Sequence, residues 1–157
     1  MRKLVMTTLA LLAAVPALAQ LPNPYGQSVN LENARRIAAA AVAEAGKNNL
    51  KMAIAIVDTA GDLVYFEKMD GTQVASVNIA QDKARSSVRF KRPTKAMQDV
   101  LAQGGAGVRF LALQGAIPVE GGLPLLMNGQ IVGAIGASGG TSDQDGQVAK
   151  AGADSVR

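Results

Sequence analysis

The sequence predicts an α+β fold, an antiparallel sheet with flanking helices. Three observations carry this. The periodicities run helix, hairpin, helix, loop, hairpin, helix, without the strand–helix–strand alternation that a parallel sheet requires. Asn128-Gly129 lies between two apolar runs, the strongest short-range signal for a two-residue hairpin turn. An alanine-rich amphipathic stretch opens the domain, and small side chains on its inner face let a helix lie close to a sheet.

The elements follow in order. Asn30 caps a helix over 31–45, with Leu31, Ala34, Ala38, Ala41, Val42 and Ala45 on one face and Gly46 as its C-cap. Residues 52–57 form an apolar β-rich run, 59–62 turn the chain, and 63–69 alternate as the return strand of a hairpin. Asp70-Gly71 ends it. A long helix over 74–89 buries Val77, Ala80, Ala84 and Val88, and Lys83 stands at the margin of that stripe. Pro93 breaks the chain, and Thr94 caps a short helix through Val100. The glycine-rich segment 101–115 reads as either a short helix or an irregular loop. Residues 117–119 supply a strand and the Asn128-Gly129 hairpin two more. A last helix starts near Ser142, with Ser142 or Asp143 as its cap, Asp145 in its first turn and Val148, Ala149, Gly152 and Val156 facing inward. The segment holds no repeat and no second domain.

The start of the chain is expected to be a leader. Arg2-Lys3 precede an apolar run over 4–15 and the small-residue site Ala17-Leu18-Ala19, which together read as a secretory signal over 1–19. The apolar run is too short to span a bilayer, so no membrane span is expected after cleavage. An extended arm over 20–30 and one domain over 31–157 would remain. Export places the protein in the periplasm or outside the cell, and with no cysteine its fold stands on its core alone.

The chain carries 16 basic and 12 acidic residues, and losing Arg2 and Lys3 leaves 14 against 12. Lys83, Arg85, Arg89, Lys91, Arg92 and Lys95 cluster, but only Phe90 stands among them, whereas a nucleic-acid surface interleaves aromatics with its cations. Nucleic acid is not an expected partner. Histidine, cysteine and tryptophan are absent, which excludes histidine acid–base catalysis, Ser-His-Asp triads, cysteine nucleophiles and ordinary zinc sites.

The candidate catalytic residues are therefore Lys83 with Asp58 or Asp70 as its carboxylate partner, a pairing suited to proton transfer by a lysine of shifted pKa. The simpler reading of both aspartates is as turn residues. Candidate ligand-binding residues are Lys83, Gly121, Gly122, Gly139, Gly140 and Thr141. A glycine turn at a helix start forms an anion nest or an ordinary strand-to-helix turn. No metal-binding cluster is expected.

Four segments in this order, LENARRIAAAAVAEA, AIVDTAGDLVYFEKMDG, IAQDKARSSVRFKRPT and GGLPLLMNGQIVGAIGASGGTSDQD, resemble the GlcG/HbpS-like family. The domain is similar also to the C-terminal domain of PduO-type corrinoid adenosyltransferases. The resemblance covers about 31–152. It implies a profilin-like α+β fold, homo-oligomers, a small-molecule ligand, haem or a related tetrapyrrole as cofactor, and a role in haem, iron or redox sensing beside a membrane sensor protein. Family members use a histidine on haem iron. Many relatives carry one where this chain has Asp62, which leaves Tyr25, Tyr65, Lys83, Met52, Met69, Met97 and Met127 as residue types able to hold iron. Two other functions remain open. One is a cofactor-free lyase or isomerase using Lys83 with an aspartate. The other is an oligomeric structural or signalling partner.

Overall fold

The computed structural model describes residues 22–156, so the expected leader over 1–19 lies outside the described residues. The chain runs α1 (Leu31–Lys47), β1 (Ala53–Val57), β2 (Leu63–Lys68), α2 (Ser76–Phe90), α3 (Thr94–Ala102), a 3₁₀ helix (Gly105–Ala112), β3 (Gly122–Met127), β4 (Gln130–Ser138) and α4 (Ser142–Ala153). The four strands form one antiparallel sheet in the order β2-β1-β4-β3. This is the α+β architecture expected from the sequence.

Strand alternation divides β1 between two cores. Ile54 and Ile56 point to a layer made by α1 and α4, where they meet Ile37, Ala38, Ala41, Val148 and Ala149. Ala53, Ala55 and Val57 point the other way, to Ala80, Ala84 and Val88 of α2. The hairpin turn forms as the sequence requires, with Asn128 and Gly129 both at positive φ (51° and 75°).

Helix α2 owes its close seat to two glycines. Gly122 and Gly136 face each other across β3 and β4. A Cβ at Gly136 would collide with the Ala80 carbonyl oxygen, and one at Gly122 with that of Lys83. The helix backbone therefore rests directly on the strand pair.

The described part of the N-terminal arm, residues 22–30, extends the sheet locally. Where β1 ends at the Val57–Ala134 pair, the arm takes its place beside β4. Ile131 donates to Pro24 O, while Gly26 and Val29 donate to Ile131 O and Val132 O.

Several local expectations are corrected. Residues 117–119 form no strand. Pro118 has no N–H to give a ladder, and the nearby amides are taken locally or by side chains, Ile117 by Ser86 Oγ, Val119 by the Ile117 carbonyl and Glu120 by Gln98 Oε1. Thr94 is not a cap: it is buried as the first residue of α3, and its hydroxyl takes the outward amide of Gly122 at 2.9 Å. Gly46 lies inside α1, which ends at Lys47 with Asn48 as its C-cap. Helix α2 starts at Ser76, since 74–75 are turn, and α4 ends at Ala153. The cap of α4 is Thr141, one residue before the expected Ser142, because Thr141 and Gln144 close a reciprocal capping box. The open segment 101–115 holds the 3₁₀ helix.

Candidate functional site

Lys83 is a fully buried charge. Its position on the sheet-facing side of α2 sends its side chain toward the end of β4, and it is only 1% exposed. Its ammonium donates to Asp145 Oδ2 at 2.7 Å and to Ala137 O at 3.3 Å. Asp145, in the first turn of α4, accepts the Gly140 amide on its other oxygen at 2.9 Å. One ion pair thus joins α2, the end of β4 and α4.

This corrects the expected partner of Lys83. Asp58 spends its carboxylate on the amides of Ala60, Gly61 and Asp62, each at 2.9 Å, and so holds the β1–β2 turn. Asp70 lies in the turn after β2. The glycine turn at 139–140 receives an anion from within the chain, the Asp145 carboxylate, and Thr141 is committed to its capping box.

The open space of the molecule lies elsewhere, around edge strand β3. A cavity of about 680 Å³ is bounded by the arm at Pro22 and Asn23, by Lys91 and Pro93 between α2 and α3, by Leu123, Pro124 and Leu126 of β3, by Ile131 of β4, and by Lys150, Ala153, Asp154 and Val156 at the end of α4. Its walls are chiefly apolar. Pro124 suits this place, since a proline in a sheet belongs on an edge. Lys91, in the left-handed region at φ 52°, ends α2 and sends its ammonium over the Tyr25 ring, 4.2 Å from the centroid. Lys150 pairs with Asp154 one turn on.

A smaller cavity of about 250 Å³ continues this cleft and shares Pro93, Leu123 and Lys150 with it. Its far end is polar. Gly121 and Gly122 line it with Lys95 and Glu120. Gly146 leaves room for the Glu120 side chain, which a Cβ there would strike. Glu120 Oε2 is buried without a hydrogen-bond partner, and Lys95 Nζ stands 3.5 Å from it. The hydrogen bond to Asp99, with the charges of Asp99 and Glu120, holds the Lys95 ammonium above the ordinary lysine range.

Of the predicted ligand residues, Gly121 and Gly122 reach this groove. Lys83, Gly139, Gly140 and Thr141 are not among its lining residues. Sequence reasoning missed Lys91, Lys150 and the β3 residues. A signal was present at Pro93, with Lys91 and Lys95 at either side, but the distance between Lys91 and Lys150 along the chain hides their shared wall.

The tyrosines and methionines considered for haem iron are not among the lining residues of the larger cavity, although Tyr25 lies beside Lys91 of its wall. Met52 and Met97 are fully buried, and Met69 and Met127 are not among its lining residues. Tyr25 donates its hydroxyl to Val88 O at 2.8 Å, and Tyr65 donates to Glu67 at 3.1 Å, which raises the Tyr65 pKa above the ordinary phenol value.

Among the described residues no helix is long and apolar enough to cross a membrane, and no group of three or more acidic residues is placed to hold a metal ion.

Known proteins are similar over two thirds or more of the chain. GlcG of Escherichia coli K12 is 39% identical over 105 residues, which cover 67% of this chain and 77% of GlcG. The crystal structure of a double mutant of HbpS from Streptomyces reticuli matches with a TM-score of 0.77 and 31% identity over 92% of this chain and 99% of that one. The crystal structure of a PduOC:haem complex matches with a TM-score of 0.73 and 26% identity over 81% of this chain and 94% of that one. Residues 29–154 match the HbpS-like family, described as haem-degrading proteins, and the chain belongs to that family.

Proposed function

We propose that this protein binds a planar, largely apolar small molecule carrying carboxylates, haem or a related tetrapyrrole, in the cleft over β3. The observation that carries the reading is the cleft itself. Its volume of about 680 Å³ falls within the range of small-molecule sites, and apolar walls offer contact area to a flat ring. Lys91 and Lys150 stand on its wall as the charge that ring carboxylates require. The haem complex of the PduOC relative supports the ligand class.

The residues fit the ring and its carboxylates but offer no customary ligand to iron. The fuller reading is an exported, self-associating protein that reports haem, iron or redox state to a membrane sensor. The leader-like pattern at 1–19 and the family resemblance support it.

Haemin titration tests the ligand. At micromolar protein the Soret band should shift and saturate, and Leu123→Glu, which puts a carboxylate on the apolar wall, should weaken binding by about tenfold or more. No Soret shift at micromolar protein would remove haem from the reading.

A further inference from the structure

We infer that the cleft holds its tetrapyrrole by the ring and the carboxylates alone, with no protein ligand to the metal, so that metal-free and iron-containing rings bind alike. This rests on the reading above and sharpens its ligand class from haem to carboxylate-bearing tetrapyrroles in general, metal-free or linear forms included.

Protein ligands to haem iron are histidine, cysteine thiolate, methionine and tyrosine. The chain has no histidine and no cysteine at any position, so a second copy of the chain could supply neither. The tyrosines and methionines of the described residues lie off the cavity wall, and both phenols donate hydrogen bonds elsewhere. On the wall, the nitrogen and oxygen groups are Lys91, Lys150, Asp154 and Asn23. A lysine ammonium has three donors and no lone pair, which suits a carboxylate and not a metal. Asp154 is held by Lys150. What remains favourable is apolar contact with the ring, and charge-assisted hydrogen bonds to its carboxylates. Neither depends on what occupies the ring centre.

Three probes on the purified full chain decide it: haemin, metal-free protoporphyrin IX, and the dimethyl ester of that porphyrin, followed by Soret absorbance and porphyrin fluorescence. Haemin and the metal-free ring should bind within about threefold of each other, and the ester should bind at least about tenfold more weakly than the free diacid. Lys91→Glu and Lys150→Glu should weaken both diacids equally. Haemin binding tenfold or more tighter than the metal-free ring overturns the inference while leaving haem binding intact. An ester that binds as well as the diacid also overturns it. Binding of none of the three overturns the proposed function and this inference with it.

Discussion

Toward α1 and α4 the sheet presents Ile54, Ile56, Leu125 and Ile135; toward α2 it presents Ala53, Ala55, Val57 and Ala134. The first face is filled by large side chains, each contributing about 1.5–3 kcal/mol by leaving water. The second has little volume to fill, because Gly122 and Gly136 let the α2 backbone down onto the strands. Most of the buried polar side chains of the described residues gather on and around α2, among them Ser76, Lys83, Ser86, Ser87, Thr94 and Ser138. Their hydroxyls bond across elements, Ser138 to Ser76 and Thr94 to Gly122. The comparison teaches that one sheet can be fastened by area on one side and by specific close contacts on the other. The second mode tolerates change less, since its contacts run to backbone and to charge.

The largest expected effect is at the ion pair. Lys83→Met leaves the Asp145 carboxylate buried without its cation and should cost about 3–5 kcal/mol in urea unfolding. Adding Asp145→Asn removes the stranded charge yet keeps an acceptor for the Gly140 amide, so the double variant should regain much of the loss. Equal stability of the single and double variants would mean that the stranded charge is not the cause.

Next comes glycine against glycine. Gly136→Ala sets a Cβ against the Ala80 backbone, which cannot move without the helix, and should cost about 1–3 kcal/mol. Gly152→Ala, on the opposite face, meets the terminal Cδ1 of Ile135 at 2.5 Å, a side-chain tip, while the nearest backbone atom, the Ile37 carbonyl oxygen, is 3.1 Å away. Its cost should be clearly smaller, since alanine also favours the helix. Thermal unfolding of the two variants side by side checks the contrast, and a costlier Gly152→Ala would break it.

The smallest effect is on the surface of the apolar face, where Gln147 of α4 donates to Glu44 of α1. That bond and the one from Asn48 lower the Glu44 pKa. A carboxylate lowered on folding stabilises above its unfolded pKa, and loses that contribution as pH falls through its folded value. The difference in Tm between wild type and Glu44→Leu should therefore be largest near neutral pH and shrink on acidification. A difference that grows toward acid would contradict the assignment.

Much of the fold is legible in the sequence because it rests on local signals. Asn30, Asn128-Gly129 and the apolar β-rich run at 52–57 each act within a few residues, and each forms as its local chemistry requires. Local reasoning fails where a residue has two local uses and a distant partner selects one. Thr94 is a good cap by type, but the amide of Gly122 claims its hydroxyl. Residues 117–119 look like a strand until the amide of Ile117 is seen bonded to Ser86. The site is less legible for the same reason. Lys83 stands out in the sequence as unusual, yet its partner is 62 residues away at Asp145, and the cleft draws its walls from the arm, β3, the end of α2 and the end of α4.

The sequence by itself determined the order of the elements, the antiparallel class and the family, because periodicity, turn chemistry and motif order are properties of the chain. It also determined that no histidine or cysteine can meet a ligand here. Only the tertiary structure decided that the glycine turn is closed by the protein's own carboxylate and that Lys83 faces Asp145. It likewise put the open cleft at the β3 edge, between two lysines 59 positions apart. Those outcomes depend on which surfaces the sheet brings together, and pairing at that distance leaves no periodic trace in sequence.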